Sequence, residues 1–151
     1  MSEKQPYRIF VTHAFQPHEE YSRVFEFLES RDNFFYLNFS DPEGKPEFGG
    51  EEGLQEVIRS QIRNSEAVLF PVGVHSQEPK LIDFELKVAQ AFDKPIIAIK
   101  AFGGTQALPI QALERAVESV AWDERLIIEA IRRHGRNEEI AKWDVIEFDP
   151  D

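Results

Sequence analysis

Apolar residues along this chain alternate between short uninterrupted runs and stretches with helical spacing. The short runs are rich in β-branched and aromatic residues and predict strands. They lie at 7–12, 33–39, 67–72, 96–99 and 119–122. The runs at 67–72 and 96–99 are apolar almost throughout, which is typical of strands that are covered on both faces.

The stretches between these runs place apolar residues three and four positions apart, which predicts helices. The periodicity is clearest at 17–28, 54–62, 80–93 and 123–133, and a short helix is predicted at 109–117. Strands that alternate with helices form βαβ units, whose right-handed crossovers leave few topologies. We therefore predict an α/β, flavodoxin-like three-layer fold with a five-stranded parallel sheet in the order 2-1-3-4-5.

A Pro- and Gly-rich segment at 40–52 breaks the pattern after the second strand and predicts a long loop. Such loops are usually lids or binding loops, although a disordered surface insertion explains the composition equally well. In a sheet of this order the ligand crevice lies at the carboxyl ends of the first and third strands. We expect the segments after residues 12, 39 and 73 to meet there.

One carboxylate interrupts the apolar face of the helix predicted at 80–93. At about 100° per residue, Leu81, Ile82, Val88, Ala89 and Phe92 all lie within roughly 60° of Glu85. A carboxylate buried without a partner is costly, and desolvation raises its pKa. Beside a crevice, Glu85 is a candidate catalytic group, although a cap or an ion pair with a neighbouring base would also explain it.

Polar and aromatic residues follow the first and third strands at the predicted crevice. His13 could act as an acid, a base or a hydrogen-bond donor, or could simply be polar lining. Phe15 could stack on a planar ring or plug the end of the sheet. His75 and Ser76 flank the same crevice.

Composition narrows the classes of function. The 151 residues suit one domain over 1–151, and the formal net charge of −11 argues against nucleic-acid binding. The absence of Cys excludes a thiol nucleophile. No apolar run has the length of a membrane span and no signal peptide is visible, so a cytoplasmic protein without membrane contact is expected. The basic cluster at 132–136 fits either a helix C-terminus or an anion-binding patch.

Several site motifs are absent. We find no dinucleotide glycine motif, P-loop or serine nucleophile elbow, and the four His residues have no metal-binding spacing. No resident cofactor or metal is therefore expected.

The order of segments resembles a TIR domain, and more narrowly the bacterial and archaeal TIR-like family that includes the TIR-like component of Thoeris anti-phage systems. The likeness is carried by segments 7–14, 54–62, 67–73, 84–86 and 94–99 and by the long loop. It covers about residues 7–133 and leaves 134–151 as a tail.

This resemblance implies an enzyme that cleaves the nicotinamide–ribose bond of NAD, with NAD as substrate, and that makes an ADP-ribose-type signal in anti-phage defence. It implies Glu85 as the catalytic residue at the end of a Trp-x-x-x-Glu pattern, with Leu81 here at the Trp position. With the crevice residues, the expected substrate-binding positions are Thr12, His13, Ala14, Phe15, Ser40, Asp41, His75 and Leu81.

Two other functions compete with this interpretation. A non-catalytic TIR-like module would act through self-association or through contact with another TIR or effector protein, and Leu81 in place of Trp favours it slightly. A nucleoside transferase with a Glu nucleophile would need further sugar-binding residues. Only Asp41 and Asp83 are near, and the helical spacing turns Asp83 outward.

Overall fold

Five parallel strands form the centre of the molecule in a computed structural model that describes residues 5–100 and 110–136. They are β1 (Tyr7–Val11), β2 (Tyr36–Asn38), β3 (Ala67–Pro71), β4 (Ile96–Ile99) and β5 (Glu118–Val120). Neighbouring strands pair in parallel in the order β2-β1-β3-β4-β5. The predicted fold class and strand order are confirmed.

Helices cover both faces of the sheet. They are α1 (Glu19–Glu29), α2 (Gly50–Arg63), α3 (Pro79–Ala91), α4 (Ile110–Leu113) and α5 (Glu124–Arg136). Because side chains alternate along a strand, Ile9 and Val11 of β1 pack in the cluster with α1 and α5, whereas Phe10 packs in the cluster with α2 and α3. The two apolar layers of the core meet at the sheet.

Side-chain caps set the starts of two helices. His18 Nδ1 accepts a hydrogen bond from the Glu20 amide at 3.0 Å at the start of α1. Asp123 Oδ1 accepts from the Leu126 amide at 3.0 Å before α5. Each cap satisfies an amide that the first helical turn leaves unpaired.

Several predicted boundaries differ from the structure, and the fifth strand and the helix predicted at 109–117 are shorter than expected, at Glu118–Val120 and Ile110–Leu113. Helix α2 begins at Gly50, inside the predicted loop, after Gly49 takes a left-handed φ of 93°. The predicted exit loop after β3 contains a 3-10 helix at Val72–Ser76. Strand β2 is shorter than predicted, and Phe34, which precedes it, is buried and stacks on Tyr7 with ring centroids 5.2 Å apart.

The basic cluster at the end of α5 contacts the protein itself. Arg133 and His134 lie 2.9 and 2.8 Å from Glu118 Oε1, and Arg136 binds both carboxylate oxygens of Glu66 at 2.7 Å. These ion pairs favour the structural interpretation of the cluster over an anion-binding patch.

Most of the predicted tail, residues 137–151, lies outside the described residues. Within the described part of the chain, every helix is too short or too polar to cross a membrane.

Candidate functional site

A pocket of about 330 Å³ lies at the carboxyl ends of β1, β2 and β3. Segments that follow each of these strands, together with the starts of α2 and α3, form its wall. The lining residues are Ala14, Phe15, Gln16, Lys45, Glu51, Leu54, Gln55, Glu78, Lys80, Leu81 and Phe84. This is the edge of the sheet at which the strand order places a ligand crevice.

The pocket wall combines flat apolar surface with charge. Phe15, Leu54, Leu81 and Phe84 supply the apolar part, and two Lys and two Glu side chains supply the charge. Arg59 of α2 lies over the Phe84 ring, 5.4 Å from its centroid, and so supports that wall from behind. A wall of this kind suits a ligand that combines a planar ring with charged or polar groups.

Glu85 lies behind this wall. Its side chain is fully buried on the apolar face of α3, among Ile82, Leu86 and Ala89, as the helical spacing predicts. Its neighbour Phe84 and the residue one turn earlier, Leu81, line the pocket, whereas Glu85 itself does not. The carboxylate is therefore close to the pocket in sequence and in the fold, but it is covered.

The carboxylate of Glu85 is only half satisfied. Oε1 accepts a hydrogen bond from the His13 amide at 3.1 Å, whereas Oε2 has no hydrogen-bond partner among the described residues. Burial raises the pKa of Glu85 well above its ordinary value, and the His13 hydrogen bond offsets this only in part. Such a group favours its protonated form until a cation approaches it.

His13 is also buried, with 1% of its surface exposed. Its Nδ1 accepts a hydrogen bond from the Phe15 amide at 3.2 Å, so the proton of the neutral ring is assigned to Nε2, which lies 3.4 Å from Gln61 Oε1. Burial lowers the pKa of His13 to about 4, although the Gln61 hydrogen bond and the Asp41 charge act in the opposite direction. At neutral pH His13 is an uncharged residue that holds its neighbours in place.

Phe15 has a left-handed backbone with φ of 56°, which is uncommon for a residue with a side chain. This conformation costs about 1–2 kcal/mol and persists where neighbouring contacts hold it. Those contacts are the hydrogen bond to His13 Nδ1 and the edge-to-face packing of the two rings, whose centroids are 4.7 Å apart. They place the Phe15 ring in the pocket wall.

The start of the long loop is tethered beside His13. The Asp41 amide donates to Gln61 Oε1 at 3.3 Å, the same oxygen that His13 contacts. Ser40 is buried, and its hydroxyl lies 2.9 Å from the hydroxyl of Tyr21. Ser40 therefore lies behind the pocket wall, whereas Asp41 is exposed and does not line the pocket.

The predicted site residues thus divide into three groups. Ala14, Phe15 and Leu81 line the pocket. Thr12, His13, Ser40 and Glu85 are buried next to it, and Thr12 Oγ1 has no hydrogen-bond partner in the described part of the chain. The third group is Asp41, which is exposed and does not line the pocket, and His75, which lies apart with Nε2 3.0 Å from Asp83 Oδ1. Their roles in binding and catalysis remain predictions.

Sequence reasoning missed several residues of the wall. Leu54, Lys45 and Lys80 were not singled out as site residues. Both Lys residues follow the ends of predicted strands, which is the signal that could have identified them. Gln61 has no such signal, since its role depends on contacts with residues 48 and 20 positions away. Among the described residues, no group of His, Asp and Glu could hold a metal ion.

Comparison with known families agrees with the resemblance that the order of segments indicates. The family model of the TIR-like domain of the Thoeris protein ThsB matches residues 10–105, more than half of the chain. The matched range contains Glu85 and every residue that lines the pocket. No curated protein matches the chain.

Proposed function

Because this chain belongs to the TIR-like domain family of the Thoeris protein ThsB, we propose that it acts in anti-phage defence as an NAD-cleaving enzyme. The reaction breaks the nicotinamide–ribose bond and leaves an ADP-ribose-type signal. The observation that carries the proposal is the fully buried Glu85 carboxylate, with one unpartnered oxygen, directly behind the wall of a pocket at the carboxyl edge of the sheet.

The proposed cleavage reaction requires one carboxylate. When the C–N bond breaks, its electron pair leaves with nicotinamide and the ribose becomes an oxocarbenium-like cation. A carboxylate beside that sugar stabilises the developing charge or holds the ribose hydroxyls until a nucleophile adds to the anomeric carbon. The positive nicotinamide ring of bound NAD would favour the ionised form of Glu85, which burial otherwise disfavours.

The pocket wall supports a dinucleotide ligand. Phe15 and Phe84 offer flat surfaces for a ring, and Lys45 and Lys80 offer cations for a diphosphate. Its volume of about 330 Å³ is at the lower end of the range for ligand pockets. This size suits one nucleoside half of NAD, with the diphosphate between the two Lys side chains.

A non-catalytic interaction module is the second candidate. Two observations favour it: Leu81 stands where the family has Trp, and Glu85 is covered rather than exposed to the pocket. The nucleoside transferase is weaker, because neither Asp41 nor Asp83 lines the pocket and Asp83 pairs with His75. Whether it is an enzyme or an interaction module, we propose that the single domain works in the cytoplasm. We propose that it acts there through self-association or through contact with another effector protein.

The test is NAD consumption by concentrated purified protein, with nicotinamide and nucleotide products resolved by mass spectrometry. Glu85→Gln should lower the rate of NAD consumption by at least about 100-fold, since it removes the charge that stabilises the transition state. Glu129→Gln, the same change of charge on the exposed side of α5, is the matched control and should keep the wild-type rate.

The product masses would then identify the signal. If wild-type protein consumes no NAD at high concentration or with an extract of infected cells, the enzymatic proposal is wrong and the interaction module takes its place. A Glu85→Gln variant as active as wild type would equally contradict it.

A further inference from the structure

A short turn separates the pocket from the carboxylate that the proposed reaction needs. Ala14 and Phe15 form part of the pocket wall, while the amide of His13, at the start of the same turn, binds Glu85 Oε1 on the inner side. For Glu85 to reach a sugar in the pocket, this turn has to move. The inference that follows rests on the proposed function, because it concerns access to the same site.

One imidazole holds the turn in its covering position. His13 Nδ1 accepts from the Phe15 amide within the turn, and Nε2 contacts Gln61 on α2. The first contact keeps Phe15 in its left-handed conformation, and the second anchors the turn to a neighbouring helix. Because the turn adopts a backbone conformation that Phe disfavours, loss of either contact should release it toward a different conformation.

Gln61, which contacts His13, also contacts the long loop after β2. Gln61 Oε1 accepts from the Asp41 amide at 3.3 Å as well as facing His13 Nε2 at 3.4 Å. A movement of the loop that draws Gln61 away from His13 would therefore loosen the turn. The loop also contributes Lys45 to the pocket, so a ligand or partner that contacts it has a physical route to the cover over Glu85.

We infer that His13 is a positioning residue that latches the turn of residues 12–15 closed over Glu85, and that release of its contact with Gln61 opens the proposed active site. The covered carboxylate is then the resting state of the molecule. Activation consists of moving the turn and the long loop together.

The chain contains no Cys, so one introduced thiol can report on opening. Thr12→Cys places it in a fully buried position at the base of the turn, and the hydroxyl it replaces has no hydrogen-bond partner in the described residues. The rate of reaction with a small disulfide reagent then measures how often the turn opens, because the closed form protects the thiol.

Gln61→Ala in the Thr12→Cys background should raise the labelling rate about fivefold or more, the effect of losing one hydrogen bond on an opening equilibrium. The matched control is Gln90→Ala, which removes a side-chain hydrogen bond to Arg115 on the exposed face of α3 and should leave the rate within about twofold. In the Cys-free background, Gln61→Ala should raise NAD consumption by a similar factor.

His13→Asn separates the two contacts of the latch. The Asn oxygen can replace Nδ1 as acceptor for the Phe15 amide, but the shorter side chain does not reach Gln61. This variant should therefore label and turn over like Gln61→Ala. A merely structural role for His13 predicts instead a lower melting temperature with no gain in turnover.

The outcomes separate the latch from the proposed activity. If Gln61→Ala labels faster while no variant, wild type included, consumes NAD, the latch is supported and the enzymatic proposal fails. If labelling is unchanged, or if Gln90→Ala increases it equally, the latch is wrong. If labelling rises in an active enzyme whose turnover does not, the turn does not limit access to Glu85 and the inference is overturned.

Discussion

The backbone amide of His13 donates a hydrogen bond to Glu85 Oε1 across 3.1 Å, and it joins residues that lie 72 positions apart in the chain. Both side chains are buried, with exposed fractions of 1% and 0%. Burial lowers the pKa of His13 to about 4 and raises that of Glu85 well above its ordinary value. Burial thus disfavours the charged form of each side chain, and each imposes its own dependence of stability on pH.

Replacing Glu85 with Gln should stabilise the fold at alkaline pH. Below about pH 4.5 the carboxyl is protonated in folded and unfolded chains alike. As the pH rises above that value, the unfolded chain releases the proton while the folded chain keeps it, so wild-type stability falls until the raised folded pKa is passed. Glu85→Gln cannot ionise, and should exceed wild type at pH 8 by about 1–3 kcal/mol.

Urea unfolding at pH 5 and pH 8 measures this difference. The difference in unfolding free energy between Glu85→Gln and wild type should be small at pH 5 and larger at pH 8. Glu129→Gln should stay within about 0.5 kcal/mol of wild type at both pH values. Equal stability of Glu85→Gln and wild type at pH 8 would mean that the folded protein exposes Glu85.

His13 should destabilise the fold toward acid. Its folded pKa of about 4 lies below the ordinary value of 6.5, so the unfolded chain binds the proton first as the pH falls. The contribution of neutral His13 to the free energy of unfolding is complete above pH 6.5 and is lost progressively as the pH falls to about 4. At about 1.4 kcal/mol per pKa unit, the total loss is near 3 kcal/mol.

Imidazole ¹⁵N shifts across this pH range test the assignment directly. They should show a neutral ring with the proton on Nε2 down to about pH 5 and protonation only near pH 4. A His13 ring that titrates near its ordinary pKa would contradict the buried, latched geometry.

The two Lys residues of the pocket should contribute to binding rather than to chemistry, if NAD is the substrate. Lys45→Gln and Lys80→Gln should each raise KM for NAD about three- to tenfold with little change in kcat, because an exposed cation contributes roughly 1 kcal/mol to an anionic ligand. The effect should shrink at high salt. Lys87→Gln, on the exposed side of α3, is the control, and an equal change there would show a nonspecific charge effect.

Two glycines should respond to Ala in opposite directions. A Cβ on Gly73 would lie 2.5–2.6 Å from three atoms of the Glu20 carboxyl group, whose Oε1 accepts from the Gly73 amide at 2.9 Å. Gly73→Ala should therefore displace the Glu20 carboxyl from the Gly73 amide and destabilise the fold by about 0.5–1.5 kcal/mol, the contribution of one hydrogen bond. A Cβ on Gly135, in the last turn of α5, would have no neighbour closer than 3.9 Å.

Gly135→Ala should accordingly stabilise by up to about 1 kcal/mol, since Ala loses less backbone entropy in a helix. Thermal unfolding of the two variants beside wild type measures both effects. Destabilisation by both would mean that the end of α5 is packed more tightly than the structure has it.

Hydrophobic periodicity determined the alternation of strands and helices, the two apolar layers and the buried position of Glu85 on α3, and the rules for βαβ connections then led to the strand order. These features follow from local spacing, because the period of apolar residues sets which face of an element enters the core. Spacing could also place the crevice, since the carboxyl ends of parallel strands share one edge of the sheet.

Only the tertiary structure decided how that edge is built. It joins the His13 amide to the Glu85 carboxylate and brings both the His13 ring and the start of the long loop to Gln61. These contacts link residues 72, 48 and 20 positions apart, and each depends on distances of about 3 Å between atoms of different elements. Periodicity reports the face on which a side chain lies, but the partner it meets there is set by how the elements pack.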